Sequence, residues 1–138
     1  MATSGGMVID ESFTAAVDLS AYQYMFVAAG SVVGEVAAAT AGSIPQPLGI
    51  LQNDPRATET AVVRLFGLSK LSACGAVITG AASALNHGHW MTCGSNSKGY
   101  GANADIAQAV LLDSIASAAA NIVTVFLVGP GTVVGSRY

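Results

Sequence analysis

His87, His89 and Cys93 stand in an H-x-H-x3-C pattern, and with Cys74 they make four side chains of the types that bind zinc. On a strand, the period of two would bring both imidazoles to one face, which is how a metal-binding histidine pair forms. The spacing is not that of the paired C-x2-C motifs that close a structural zinc centre, and no pattern in the chain carries Cys74 to the other three. The reading preferred for this cluster is an exposed His-Gly-His turn beside a buried Cys93 and Trp90. A hydrolytic triad needs a Ser or Cys nucleophile, a His and a carboxylate in one place. Here both histidines fall in one Gly-rich turn, and no G-x-S-x-G elbow is present. Asp54, Glu59, Asp105 and Asp113 are isolated loop carboxylates, turn caps or solvated tips rather than an acid and base pair. Gly99-Tyr100-Gly101-Ala102-Asn103-Ala104 lacks the βαβ setting that gives a glycine-rich loop its phosphate chemistry. The expectation is a protein with no catalytic site, no resident metal and no cofactor.

The fixed cations are Arg56, Arg64, Lys70, Lys98 and Arg137, and the formal net charge is -3. Nothing here forms a basic stripe, so nucleic acid is not an expected partner. Arg64 lies inside a β-favouring run and is expected to face outward, in solvent or paired across an interface. Met7, Val8, Ile9, Arg56, Arg64, Trp90, Arg137 and Tyr138 are the candidate interface residues. They lie on unpatterned terminal arms, in loops that leave a β domain at its ends, or on an outward strand face.

The elements that must carry these groups read as strands. Ile50-Leu51-Gln52-Asn53, a loop, and Val62-Val63-Arg64-Leu65-Phe66 align without a gap on Val110-Leu111-Leu112-Asp113, a loop, and Ile122-Val123-Thr124-Val125-Phe126, sixty residues further on. Both copies read strand, polar loop, strand. A hairpin of this kind buries one face, and two of them in a short chain can curl around a shared core. The fold class is therefore all-β, a small antiparallel β-barrel or sandwich built on two related hairpins. Tyr22 to Val27 and Val32 to Val36 read as a further hairpin, with Tyr22, Tyr24 and Phe26 on one face. Pro45 and Pro47 place a loop or edge before Leu48. Ala76 to Ile78 is a short strand, Ala81 to Leu85 is ambiguous, and Asn96-Ser97-Lys98-Gly99 is a hairpin tip. Leu112 to Ala120 is a loop or a short helix. The domain limits read as a flexible arm over 1–12, a β domain over 13–128 and a tail over 129–138.

Charged residues make up 9% of the 138, whereas soluble domains average about 25%. With 52% hydrophobic residues, such a surface favours association, so an obligate oligomer or a lattice component is expected. Ser114 to Ser136 carries no charge, but Asn121 and Gly129-Pro130-Gly131 interrupt it, so no membrane span is expected. Met1 to Ser12 is small, polar and acidic, unlike a secretory signal, which points to synthesis in a cytoplasm.

Asp18-Leu19-Ser20-Ala21-Tyr22-Gln23-Tyr24, Leu48 to Pro55, Ala61 to Gly67 and Val123 to Leu127 ahead of Gly129 together resemble a family of small tailed-phage capsid cement or decoration proteins, over roughly Phe13 to Val134. The resemblance implies a head-stabilising protein on the outer capsid surface that clamps neighbouring major capsid protein subunits, commonly as a homotrimer. Asn86 to Cys93, with two histidines and a tryptophan, departs from the plain hairpin of that family. That departure leaves a second expectation, a head-fibre base or host-surface adhesin that uses the 86–101 loop.

Overall fold

The computed structural model describes residues 7–40, 47–73, 76–78, 81–83, 88–94, 96–101, 106–114 and 121–133. Eleven strands account for its regular structure: β1 (Ile9–Ala15), β2 (Phe26–Ala29), β3 (Glu35–Ala38), β4 (Pro47–Leu51), β5 (Thr60–Ala73), β6 (Ala76–Ile78), β7 (Ala81–Ser83), β8 (Trp90–Cys93), β9 (Gly99–Gly101), β10 (Ile106–Leu111) and β11 (Asn121–Val133). No helix occurs among the described residues, so the all-β expectation holds. No helix there is long and apolar enough to cross a membrane.

The strands close into rings. β1 lies parallel to β3, and the pairs β3–β2, β2–β4, β4–β5 and β5–β1 are antiparallel, which returns the sheet to its start as a five-stranded barrel. A second ring repeats the scheme strand for strand: β5 is parallel to β9, and β9–β8, β8–β10, β10–β11 and β11–β5 are antiparallel. This ring closes through the single pair Ala73↔Gly99. β6 and β7 pair only with each other.

β5 serves both rings, as the last strand of one and the first strand of the next. Thr60 to Phe66 pairs with β1, and Gly67 to Ala73 pairs with β11. The change of partner falls at Gly67, whose φ of +101° belongs to the region that favours glycine. A side chain there would also meet the Met7 carbonyl oxygen at 2.5 Å. One residue thus lets the strand bend between rings and lets the N-terminal segment pass over the bend.

The two hairpins do not share one core as expected: alternation along the strands sorts side chains into two, because each hairpin closes its own ring. Val27, Val36, Leu51, Ala61 and Val63 fill the first ring with Leu19. Leu71, Met91, Leu111, Val123, Val125 and Leu127 form the second core, together with Phe26, Ala28 and Ile50 from the outer side of β2 and β4. The β2–β4 wall is therefore buried on both faces.

The two related hairpins are β4–β5 and β10–β11, in the strand pairings expected from the sequence. They share a capping device as well. The Asn53 Oδ1 accepts the Val62 N–H at 2.9 Å, and Asp113 Oδ2 accepts the Thr124 N–H at 3.2 Å. Short side-chain acceptors of this type fasten a turn to the strand that follows. The backbone bonds beside them, Gln52 N–H to Val62 O and Leu112 N–H to Thr124 O, show that the second loop is longer by two residues, so the gapless alignment fails in its second half: Val63 opposite Leu51 is matched by Val125 opposite Leu111, not by Val123.

Several boundaries differ from the sequence reading. β1 begins at Ile9, inside the segment expected to be an arm, and β11 runs to Val133, past the expected end of the β domain. Neither end shows long apolar periodicity, but edge pairing with β5 and β10 holds both. Tyr22 and Tyr24 are not on a strand: residues 23–25 turn, and Tyr24 has a φ of 61°. Its N–H donates to Leu51 O and its carbonyl accepts from Ser72 N–H, so backbone bonds on both sides override aromatic strand preference. Val32 and Val33 form the turn before β3, 59% and 102% exposed. Pro47 opens β4 at its first residue, where a missing N–H is tolerated. The Ala81–Leu85 ambiguity resolves as β7 over its first part, and 112–114 is bend and loop, with 115–120 outside the described residues.

Candidate functional site

Of the four metal candidates, His89 and Cys93 fall among the described residues. His87 and Cys74 lie outside the described residues. His89 is exposed just before β8, while Cys93 points into the second core at 4% exposure, its Sγ 3.2 Å from Gly94 O. Among the described residues no group of three His, Cys, Asp or Glu could hold a metal ion. Burial pushes the Cys93 thiol up to about 12. At pH 8 only about one molecule in ten thousand then carries the thiolate that reacts. Cys93 is expected to resist iodoacetamide in the folded protein and to be alkylated within minutes in denaturant, with the site located by peptide mass spectrometry. Rapid alkylation of native Cys93 would contradict this burial.

Loop carboxylates are engaged locally. The Arg56 N–H donates to Glu59 Oε2 at 2.8 Å, the Ser20 N–H donates to Asp18 Oδ1 at 3.0 Å, and Asp113 caps its hairpin. Asp54 is exposed, and Asp105 lies outside the described residues.

Arg64 does face outward, but its partner is in the same chain. Its Nε and Nη2 donate to the two carboxylate oxygens of Asp10 at 2.8 and 2.9 Å, and Nη1 donates to Leu68 O at 2.8 Å. Asp10 and Arg64 are register partners across β1 and β5. The hydrogen bond from Arg64 holds the Asp10 carboxyl below its ordinary 3.8. A carboxylate with a lowered folded pKa stabilises above its unfolded value and stops doing so as pH falls through the folded one. Asp10→Asn is therefore expected to cost up to about 1 kcal/mol at neutral pH, because both side chains remain partly solvated. That cost should vanish in urea titrations run well below pH 3.8. An equal cost at every pH would show that the charge pair is not its source.

Of the other interface candidates, Met7, Val8 and Ile9 are 71%, 43% and 44% exposed, Arg56 is exposed and Trp90 is partly exposed. Arg137 and Tyr138 lie outside the described residues. The expected hairpin tip is present between β8 and β9, and it points inward. Ser97, 2% exposed with a φ of 66°, donates its hydroxyl to Ala39 O at 2.6 Å and accepts the Phe26 N–H at 2.9 Å. The described tip of the 86–101 loop thus fastens one ring to the other, and Asn96 and Lys98 flank it toward solvent.

The outside of the second ring carries an apolar row that sequence alone does not assemble. Trp90↔Val110, Val110↔Phe126 and Phe126↔Leu68 are successive register partners across β8, β10, β11 and β5. Their sequence neighbours Met91, Ala109, Leu111, Val125 and Leu127 are buried inward, so these four side chains face out. Phe66 joins them, edge-on to Phe126 with ring centroids 5.3 Å apart. The signal was available in the alternation of Ile122, Thr124 and Phe126, but the neighbours of Phe126 follow only from the register.

No family model matches the chain, and no curated protein matches it. Among solved structures it is similar to the N base of head fibre gp8.5 of bacteriophage phi29, with a TM-score of 0.58 at 14% identity, covering 88% of this chain and 94% of that one.

Proposed function

We propose that this chain is a structural protein of a tailed-phage head, bound to the outer capsid surface and devoid of enzymatic activity. The observation that carries the reading is the structural similarity to a head-fibre base, over 88% of this chain and 94% of that one. It agrees with the resemblance to capsid cement proteins that the sequence motifs carry. The partner in this reading is the major capsid protein, with the chain itself assembled as a homotrimer. Cementing acts by linkage: a protein that binds the assembled shell better than its free subunits stabilises the shell by mass action. Copies joined in one oligomer bind more tightly when their spacing fits the lattice.

The fibre-base alternative is favoured by the same structural similarity. The two differ in number. Co-sedimentation of the purified protein with expanded heads lacking it, quantified as copies per major capsid subunit, should saturate at a fixed lattice ratio for a cement. A fibre base should saturate at few copies per head. No binding to heads at all would overturn both.

A further inference from the structure

Strand β1 uses only part of one of its two edges. Thr14 and Ala15 pair with β3, while Ile9 to Phe13 pair with β5 alone. The Ala15 N–H donates to Glu59 O on the β5 side, and the Thr14 N–H donates to Gly34 O on the other. With a period of two along the strand, the backbone N–H and C=O groups of Asp10 and Ser12 point the same way as those of Thr14, away from β5. β3 does not reach them, because it begins at Glu35, after a turn in which the Glu35 N–H donates to Val32 O. Both residues are exposed, so about 13 Å of strand edge stands open between Asp10 and Phe13.

The second ring closes the matching edge from within the chain. Glu11 is the β1 partner of Val63, and Ser69 is the β5 partner of Val125, so Asp10, Ser12 and Thr14 correspond to Leu68, Lys70 and Ser72. There the Leu68 carbonyl accepts from Arg64 Nη1 at 2.8 Å, the Lys70 carbonyl accepts from Ser69 Oγ at 2.9 Å, and the Ser72 N–H donates to Tyr24 O at 2.7 Å. Among the described residues nothing comparable reaches the backbone of Asp10 and Ser12 on this side.

We propose that this edge binds an extended, basic segment of a partner protein, which adds a strand beside β1. Backbone bonds to an open sheet edge give such binding its affinity, and the flanking side chains select the sequence. The flanking charge is negative. Glu11 is exposed on the edge, Glu35 stands opposite Thr14 where β3 begins, and neither is in a salt bridge among the described residues. Asp10, by contrast, is neutralised by Arg64. Exposed apolar side chains stand at both ends, Val8 and Ile9 before Asp10, and Val32 and Val33 on the turn whose Gly34 carbonyl meets Thr14. A segment with Lys or Arg at its centre and apolar residues at its ends fits that order. A second copy of this chain does not, since the two-fold pairing that bonds Asp10 to Ser12 sets Glu11 against its own copy, and like charges directly opposite destabilise a strand pair. The proposal concerns this edge alone and stands apart from the head-surface reading.

A display library of short random peptides, selected on the immobilised full chain, tests it. Peptides with Lys or Arg and no central proline should be enriched. Their synthetic copies, titrated by fluorescence anisotropy, should bind Ser12→Pro at least about tenfold more weakly, because proline removes the outward N–H while the bonds to β5 remain. Glu11→Lys should weaken them about fivefold, and Asp54→Lys, the same change of charge on the β4–β5 loop, should leave binding unchanged. Urea unfolding checks that each variant is folded, and if Ser12→Pro is not, Glu11→Lys carries the test. No enrichment, enrichment of acidic or neutral peptides, or equal binding by the folded edge variants overturns the proposal. Peptide binding by a wild type that ignores heads would confirm the edge while removing the head-surface reading. A Ser12→Pro protein that loses the peptides yet sediments with heads would confirm the edge and put head attachment elsewhere on the surface.

Discussion

Gly49→Ala is expected to destabilise the protein by about 3 kcal/mol or more, a large part of the roughly 5–15 kcal/mol that holds a domain folded. Gly49 lies on β4 where the register with β2 slips. A methyl group added there would overlap the Arg64 carbonyl oxygen, with the carbonyl carbon 2.9 Å away and Val63 Cγ1 at 3.0 Å. The obstacle is backbone, and it belongs to the strand that both rings share. It cannot swing aside as a flexible side chain would without breaking the β4–β5 pairing. A useful contrast is Gly34→Ala. Nothing lies within 4 Å of a methyl there, but the φ of +86° is unfavourable to it, at a cost of roughly 1–2 kcal/mol. Urea unfolding of both variants would separate a steric collision from backbone strain. A Gly49→Ala protein no less stable than Gly34→Ala would show that the strands can part without loss.

Phe26→Ala should cost about 3–5 kcal/mol, the range for emptying a buried aromatic site. The location of the damage is more diagnostic than its size. Phe26 and Val27 are neighbours on β2, yet Phe26 belongs to the core of the second ring and Val27 to that of the first. Amide hydrogen exchange in Phe26→Ala should quicken most on β8, β10 and β11, far along the sequence. Val27→Ala should quicken β1 and β3 instead. The same pattern of exchange in both variants would mean that the two cores open as one unit and that the β2–β4 wall does not separate them.

The hairpins were legible because their signal is local: alternation, turn residues and an apolar run repeat around Leu51 and Leu111. The rings were not. Their closure depends on β1 lying parallel to β3 and β5 lying parallel to β9, each through very few residue pairs, and such contacts leave no periodicity to read. The extent of β1 was hidden for a related reason. Asp10, Glu11 and Ser12 are polar and exposed, so only their register with Arg64, Val63 and Val62 marks them as strand. Arg64 was correctly placed facing outward, but its partner stands 54 residues away. Ser97 reads as an ordinary polar turn residue, and its burial follows from the second ring folding back onto the first.

The length of β11 has a consequence of its own. β5 is 14 residues long because its first half completes one ring and its second half begins another. β11 is 13 residues long, and its first half, through Leu127, is what β5 needs. Beyond it, Val128 to Val133 runs on as strand past the bend at Gly67 where β5 turns away. Its last two residues stay with β10, Thr132 opposite Ala107 and Val133 opposite Ile106, across a slip in the register. One strand thus leans on β5 with its first half and on the far end of β10 with its last residues, so it clasps the second ring along two edges at different heights.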